Sequence, residues 1–242
     1  MHVVGIIPAR YDSSRFPGKP LIDLKGKTMI QRVYEGAVKS DLIHEVIVAT
    51  DDQRIFDEVI RFGGKVVMTS SHHKTGTDRC AEVAVQLKAD VVINIQGDEP
   101  LVDYRQLNQL IAAFKDDAVQ IATLATRKII TEDLQNPNRI KVVVNQYQNA
   151  IYFSRSAVPN ATNLSEDAMT LYPYLRHIGL YGFRSTVLNE ITELNPTLLE
   201  QVESLEQLRW LYYGYSIHVV ETNIETPNID TPDDLNRVLD LL

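Results

Sequence analysis

The sequence predicts an α/β protein with a Rossmann-like, mainly parallel sheet, helices on both faces and a smaller inserted lobe that contains β-strands. Short runs rich in valine and isoleucine alternate with longer amphipathic segments, and parallel neighbouring strands need crossover connections of that kind. The alternation breaks after Thr126, where a polar stretch precedes further strand-like runs. With 242 residues, 44% of them hydrophobic, the chain can bury a substantial core without disulfides.

The charge and the cysteine count narrow the functional classes. The chain carries 32 acidic and 24 basic residues, a formal charge of -8, which argues against nucleic-acid partners and anionic membranes. Its one cysteine, Cys80, cannot form an intrachain disulfide, and no apolar run approaches the ~18 residues of a membrane helix. We therefore expect a cytoplasmic protein with no membrane insertion.

The first part of the chain predicts four strands and two helices. The strands are short runs rich in valine and isoleucine, at 3–8, 45–50, 65–69 and 90–96. Apolar residues at helical spacing predict helices over 29–39 and 52–62, and Asp51 or Asp52 is the expected cap of the second. Ligands of such sheets bind beyond the carboxyl ends of the strands. This rule directs attention to the loops at 9–19, 70–79 and 97–100.

The later part of the chain predicts a lobe and a return to the core. Two strand-like runs, 140–145 and 150–154, are spaced to pair as a hairpin, and 177–184 predicts another strand. We assign residues 126–183 to the inserted lobe, and residues 1–125 and 184–242 to the α/β core. The remaining predicted elements are a helix over 198–213, a strand over 216–221 and a final helix opened by Thr231 and Pro232.

The loop after the first strand concentrates positive charge. Arg10, Arg15 and Lys19 fall within one short segment of an acidic chain, beside the hydroxyls of Ser13 and Ser14. Guanidinium groups bind phosphate oxygens bidentately and a lysine acts as a point charge, so this loop is a candidate polyphosphate site. A solvated basic loop is the alternative. Neither a Walker A motif nor the dinucleotide fingerprint is present, which removes the main support for a kinase or a dehydrogenase.

Two acidic residues are candidate metal ligands. Asp98 follows the strand at 90–96, beside Gly97, and Asp230 lies in the acidic segment 228–234. Mg²⁺ takes oxygen ligands and usually only one or two protein carboxylates. Each residue could instead be an ordinary acid at a turn or a helix cap.

Eight segments occur together in one order that resembles the 3-deoxy-manno-octulosonate cytidylyltransferase family, also called CMP-Kdo synthetases. They are RYDSSRFPGKPL at 10–21, ATD at 49–51, GTDR at 76–79, QGDEP at 96–100, YFSR at 152–155, RHIGLYGF at 176–183, LEQLR at 205–209 and DTPDDL at 230–235. The resemblance covers nearly the whole chain. Such a series is far harder to obtain by chance than any single motif.

The resemblance implies a reaction in which CTP and 3-deoxy-D-manno-octulosonate (Kdo) give CMP-Kdo and pyrophosphate for lipopolysaccharide biosynthesis. It also implies Mg²⁺ as cofactor and a homodimer, with the sugar pocket and the dimer contacts in the lobe. Catalytic roles fall on Arg10, Lys19, Asp98 and Asp230, the two aspartates as metal ligands. The nucleotide-binding residues implied are Ala9, Arg10, Ser13, Arg15, Lys19, Thr77, Arg79 and Asp98. The sugar-binding residues implied are Gln96, Arg155, His177, Tyr181, Glu206 and Gln207.

Two alternatives stay open. Many relatives carry an arginine soon after the residue equivalent to Pro159, whereas residues 160–172 of this chain contain none. A cytidylyltransferase for another acidic sugar, of the 8-amino-Kdo or sialic acid type, is therefore an alternative. A non-catalytic CTP-binding sensor is the other, although a mere binder gains little from a complete metal site.

Overall fold

The computed structural model of the protein describes residues 1–12, 16–161, 172–227 and 232–242. The strands in these residues are β1 Val3–Ala9, β2 Glu45–Thr50, β3 Val66–Met68, β4 Val91–Asn94, β5 Ile121–Thr126, β6 Lys141–Val144, β7 Ala150–Ser154, β8 Leu175–Arg184 and β9 Ile217–Glu221. The helices are α1 Met29–Ala37, α2 Gln53–Arg61, α3 Gly76–Leu87, α4 Tyr104–Ala112, α5 Thr131–Gln135, α6 Ser185–Thr192, α7 Leu198–Glu203, α8 Gln207–Tyr212 and α9 Pro232–Leu241. Short 3-10 turns occupy Lys19–Leu21 and Ala113–Lys115.

All the strands of the described ranges belong to one mixed sheet. Its main path runs β3-β2-β1-β4-β8-β5-β9. Only β8 on this path is antiparallel to its neighbours, β4 and β5, while every other pairing along it is parallel. The predicted mainly parallel α/β fold is therefore confirmed. The predicted hairpin is also present, because β6 pairs antiparallel with β7, and β6 joins the sheet through the start of β8.

Apolar layers cover both faces of the sheet, as the sequence predicts. In β1, Val3 and Ile7 pack into one layer and Val4 and Ile6 into the other, as the alternation of side chains along a strand requires. Buried residues of α1, α2 and α4 complete the first layer, and those of α3, α6 and α8 the second. None of the helices in the described part of the chain combines the length and hydrophobicity needed to span a membrane.

Side-chain caps fix where the helices near the site begin. Asp52 is the cap of α2, and its Oδ1 accepts a hydrogen bond from the backbone N of Arg54 at 2.9 Å. Thr75 and Asp78 form a reciprocal capping box at the start of α3. The predicted nucleotide-side segment, residues 76–79, is consequently the first turn of a helix whose amino end faces the carboxyl edge of the sheet.

Two elements differ from the sequence predictions. The single helix expected over 198–213 is divided into α7 and α8, because Ser204 adopts a left-handed backbone conformation with φ of 52°. The strand β8 lies in the middle of the principal sheet, and the expected lobe boundary at 183 falls inside it. The division into core and lobe stays a prediction. Thr231, the predicted cap of the last helix, lies outside the described residues.

Candidate active site

The loops that follow β1 and β4 meet at the carboxyl edge of the sheet. A Cβ atom at Gly97 would lie 2.9 Å from the carbonyl oxygen of Pro8, so a larger residue would push the loop after β4 away from the end of β1. This close approach brings Asp98, which follows β4, beside the basic loop that follows β1. The meeting point is the edge where parallel α/β sheets bind ligands.

A first cavity of about 400 Å³ opens at this edge. Its walls come from the loops after β1, β3 and β4 and from the start of α3. The lining residues are Pro8, Ala9, Arg10, Lys19, Pro20, His73, Lys74, Thr75, Gly76, Arg79, Gln96, Gly97 and Asp98. The sequence predicts Ala9, Arg10, Lys19, Arg79 and Asp98 on the nucleotide side, and the fold brings these five together.

Lys19 and Asp98 form the central ion pair of the first cavity. The Nζ atom of Lys19 donates to Oδ2 of Asp98 at 2.8 Å, although the two residues are 79 positions apart. The lysine side chain is 11% exposed and the aspartate 36%, so the carboxylate keeps a face open to the cavity. The fold therefore places the predicted phosphate-binding lysine and the predicted metal-binding aspartate in one site.

Contacts with residues that do not line the cavity fix the described part of the basic loop. Gly18 has φ of 72°, and its backbone N donates to the carbonyl oxygen of Tyr11 at 3.0 Å, which folds the loop back on itself. The guanidinium carbon of Arg54 lies 3.2 Å from the centroid of the Tyr11 ring. These contacts position Lys19 at the cavity wall.

A second cavity of about 310 Å³ adjoins the first. It is lined by Gln96, Asp98, Glu99, Asn138, Arg139, Ile140, Arg176, His177, Ile178, Gly179, Tyr181, Leu205, Gln207 and Thr226. Gln96 and Asp98 line both cavities. The side-chain amide of Gln96 donates to the carbonyl oxygen of Gly179 at 3.0 Å, which fixes it at the boundary between them.

His177 is a neutral hydrogen-bonding group in the second cavity. Burial, with a smaller contribution from the positive charge of Arg176, lowers the pKa of His177 to about 3. Its Nε2 atom lies 2.9 Å from the hydroxyl oxygen of Thr123, and that hydroxyl donates to the carbonyl oxygen of Leu180 at 2.8 Å. With the hydroxyl hydrogen used in this way, Nε2 is the donor in the contact with Thr123.

Tyr181 and Gln207, both predicted on the sugar side, are buried in the wall of the second cavity. Burial raises the pKa of Tyr181 well above its ordinary value, so the phenol stays protonated. The ring packs edge-on against Trp210 with 5.2 Å between ring centroids, which fixes its orientation. Gln207 is the first residue of α8, three positions after the break at Ser204.

A hydrogen bond between Thr77 and Glu206 connects the predicted nucleotide side of the site with the predicted sugar side. The hydroxyl of Thr77 donates to Oε2 of Glu206 at 2.8 Å. Burial raises the pKa of the Glu206 carboxyl, and hydrogen bonds from the hydroxyls of Thr77 and Thr75 partly oppose this effect. Neither Thr77 nor Glu206 forms part of the walls of the two cavities. Their contact ties the first turn of α3 to the start of α8.

Arg79 and Arg155, both predicted to bind ligands, form hydrogen bonds with other groups of the protein. The Nη2 atom of Arg79 donates to Oδ2 of Asp51 at 2.9 Å, and its Nη1 atom contacts the hydroxyl of Thr69. Arg155 is outside the walls of both cavities. Its guanidinium donates to carbonyl oxygens, to Pro137 at 2.8 Å, Glu203 at 2.6 Å and Ser204 at 3.2 Å. A direct ligand contact for Arg155 stays a prediction.

Four basic side chains that the sequence reasoning did not single out line the cavities: His73 and Lys74 in the first, and Arg139 and Arg176 in the second. His73 and Lys74 belong to the loop that follows β3 at the carboxyl edge, and that position is a usable signal in the sequence. No comparable signal marks Arg139, because its position depends on how the hairpin joins the sheet.

Three predicted site residues, Ser13, Arg15 and Asp230, lie outside the described residues. The pairing of Asp98 with Asp230 at one metal ion therefore stays a prediction. Within the described ranges, no group of three or more histidine, cysteine, aspartate or glutamate side chains is arranged to hold a metal ion.

Comparison with known proteins agrees with this architecture. Residues 4–219 match the family model of cytidylyltransferases. A 3-deoxy-manno-octulosonate cytidylyltransferase from Phocaeicola vulgatus is 52% identical over 98% of this chain and 96% of the relative. One from Bacteroides thetaiotaomicron is 52% identical over 100% of this chain and 98% of the relative.

Solved structures extend the comparison. A CMP:2-keto-3-deoxy-manno-octonic acid synthetase complexed with CTP superposes with a TM-score of 0.93 at 44% identity, covering 100% of this chain and 98% of that one. A 4-diphosphocytidyl-2C-methyl-D-erythritol synthase from Anaerococcus prevotii shares only the fold, with a TM-score of 0.65 at 13% identity, over 99% of this chain and 97% of that one. The chain belongs to the 3-deoxy-manno-octulosonate cytidylyltransferase family of nucleotidyltransferases.

Proposed function

We propose that this protein transfers a cytidylyl group from CTP to Kdo, releasing pyrophosphate and forming CMP-Kdo for lipopolysaccharide biosynthesis in the cytoplasm. The observation that carries the proposal is the position of Asp98, which lines both cavities and pairs with Lys19. A nucleotide in the first cavity and a sugar acid in the second would meet there. Family membership supplies the identity of the two substrates.

The chemistry of the first cavity suits a triphosphate. Arg10 and Lys19 would bind phosphate oxygens and stabilise the departing pyrophosphate. In the transfer, the anomeric hydroxyl oxygen forms a bond to the α-phosphorus while the bond from that phosphorus to the bridging oxygen of pyrophosphate breaks. Such an in-line displacement depends mainly on positioning and on neutralisation of charge.

The chemistry of the second cavity suits a polyhydroxylated acid. Gln96, Gln207, Tyr181 and His177 present donors and acceptors that would orient the sugar. His177 is a poor base, because burial lowers its pKa to about 3. We therefore assign it an orienting role and give the deprotonation of the hydroxyl to no side chain.

The donor set at the junction fits Mg²⁺. Proteins usually hold this ion with one or two carboxylates, the remaining ligands being phosphate and water. Asp98, partly exposed where the cavities meet, would be one such ligand, and Asp230 is the predicted second. When bound, Mg²⁺ would neutralise phosphate charge and polarise the reacting oxygens. Lys19, the counter-ion of Asp98, would remain to hold the phosphates.

The test is a crossed assay of pyrophosphate release. Each nucleoside triphosphate is combined with Kdo, 8-amino-Kdo or N-acetylneuraminate, with and without Mg²⁺. We expect release only with CTP and Kdo, and only with Mg²⁺. Turnover with only 8-amino-Kdo or only N-acetylneuraminate would show that the acceptor is that sugar and not Kdo. Calorimetric binding of CTP without turnover of any sugar would indicate a sensor and contradict the proposal.

We also propose that the protein is a homodimer, as the family resemblance implies. Exposed apolar side chains occur on the neighbouring elements β7, α7 and α8: Ile151 at 58%, Leu198 at 80%, Val202 at 84% and Tyr212 at 66% exposure. Such side chains are typical of a surface that a partner covers. Sedimentation equilibrium at micromolar concentration should give twice the mass of 27.4 kDa, and a monomer would reject the dimer.

A further inference from the structure

The second cavity has a charge requirement that none of the predicted sugar-binding residues meets. A 2-keto sugar acid carries a carboxylate on the anomeric carbon, next to the attacking hydroxyl. Asp98 and Glu99 line the same cavity, and Lys19, the partner of Asp98, belongs to the wall of the first cavity. A cation is therefore needed on another wall, and we infer that Arg139 binds the substrate carboxylate. This inference rests on the proposed function and adds a specificity residue to it.

The other basic groups near the cavity are already used or neutral. Arg176 donates from Nη2 to Oε1 of Glu225 at 2.5 Å, and its side chain is only 14% exposed. His177 is neutral, because burial lowers its pKa to about 3. The guanidinium of Arg155 is bonded to carbonyl oxygens outside the cavity. The segment at 160–172 contains neither arginine nor lysine.

Arg139 is the least neutralised cation among the described residues of this cavity. Its Nε atom lies 3.6 Å from Oδ1 of Asp133, which is beyond hydrogen-bond distance. The other oxygen of Asp133 accepts from the backbone N of Ile130 at 3.2 Å and so caps α5. The Arg139 side chain is 36% exposed, which leaves its planar fork of donors accessible to a bidentate carboxylate ligand.

The backbone that presents Arg139 is anchored. Its N donates to the carbonyl oxygen of Asn136 at 3.1 Å. Lys141, with no exposed surface, donates from Nζ to that same carbonyl oxygen at 3.1 Å and to the carbonyl oxygen of Arg155 at 2.6 Å. The carboxylate ligand would therefore meet a guanidinium on a fixed loop, which lowers the entropy cost of binding.

The experiment compares Arg139→Gln, Arg139→Lys and wild type by steady-state kinetics, with Kdo and with its C1 carboxamide as acceptors. We expect Arg139→Gln to raise KM for Kdo by ~10–100-fold, the effect of one charge-assisted bidentate contact, while KM for CTP changes less than about twofold. Arg139→Lys should recover part of the loss. With the carboxamide, wild type and Arg139→Gln should be equal, because the charge that Arg139 recognises is gone.

Matched variants separate a specific contact from a general effect of charge. Arg61→Gln removes an exposed arginine with one carboxylate partner on α2 and should leave both KM values unchanged. Arg176→Gln tests the rival cation. The inference is overturned if Arg139→Gln behaves like Arg61→Gln, if its loss persists with the carboxamide, or if Arg176→Gln alone shows the carboxylate-dependent loss.

The wild-type controls distinguish this inference from the proposed function. If wild type turns over 8-amino-Kdo or N-acetylneuraminate instead of Kdo, the acceptor is wrong, and the Arg139 comparison is made with that sugar, which also carries a carboxylate. If no acidic sugar is turned over, the proposed function and the inference both fail. Matching circular dichroism spectra and melting temperatures show whether the variants are folded.

Discussion

The two cavities differ in the kind of side chain that lines them. The first is built from charged side chains, and its central contact is the partly exposed Lys19–Asp98 pair. The second is built largely from buried neutral groups, among them His177 and Tyr181, whose pKa values are shifted by burial. The first should therefore respond mainly to removal of charge, whereas the second should respond to acid and to loss of packing as well as to removal of Arg139.

The largest effect is expected where the cavities meet. Asp98→Asn removes the carboxylate shared by both, so we expect kcat to fall by ~10²–10³-fold or more. KM for Kdo should change far less, because the cavity wall is retained. Asp57→Asn on the exposed face of α2 is the control and should have wild-type kcat. A wild-type kcat in Asp98→Asn would remove the metal and catalytic assignments together.

The next effect should be confined to the first cavity. Lys19→Ala removes a charge-assisted contact to phosphate, and we expect KM for CTP to rise by ~10–100-fold. KM for Kdo should stay within about twofold of wild type. Lys65→Ala, which breaks an exposed pair with Glu45, is the matched control. If KM for Kdo rose instead, the phosphate site would be misplaced.

Acid should affect the second cavity through His177. Its folded-state pKa of about 3 is below the ordinary value of about 6.5, so the unfolded chain binds a proton that the folded protein does not. The free energy of unfolding should therefore fall as the pH is lowered from about 6.5 towards 3.

The variant His177→Gln isolates this contribution. At pH 7 it should be less stable than wild type, and the difference in the free energy of unfolding should shrink as pH is lowered towards 4. Urea unfolding at several pH values measures this difference. His72→Gln, in an exposed loop, should track wild type throughout. A pH-independent gap between His177→Gln and wild type would contradict a buried neutral imidazole.

The smallest effect on activity is expected for Arg155, which lies outside the walls of both cavities. Arg155→Gln loses hydrogen bonds to three carbonyl oxygens, and we expect a destabilisation of ~1–2 kcal/mol with little change in KM for Kdo. Thermal unfolding and kinetics measure the two quantities separately. A large rise in KM for Kdo would support the direct sugar contact that the family resemblance implies for Arg155.

The first cavity could largely be predicted from sequence. Arg10, Lys19 and Asp98 follow strands that local patterns predict for a mainly parallel sheet, and parallel strands bring their carboxyl ends to one edge. The second cavity could be predicted only in part. The family resemblance identified His177, Tyr181 and Gln207, but the place of β8 between β4 and β5 is set by pairing between distant segments. The position of Arg139 depends likewise on the pairing of β6 with the start of β8.

The break at Ser204 is a second feature that local sequence patterns do not predict. Apolar spacing continues from α7 into α8, because Leu199 of α7 packs against the same layer as Leu205, Leu208 and Trp210. The periodicity therefore predicts one helix. The left-handed residue that divides it has no glycine or asparagine to mark it in the sequence. Tertiary packing decides this turn, and Gln207 lies in the cavity wall shortly after it.

The most direct test of the account is a crystal structure of the protein with Mg²⁺, a non-hydrolysable CTP analogue and Kdo. We expect the phosphates against Arg10 and Lys19, the sugar in the second cavity, and the anomeric hydroxyl facing the α-phosphorus beside Asp98. Both ligands in one cavity, or a sugar bound away from Gln96 and Asp98, would contradict it.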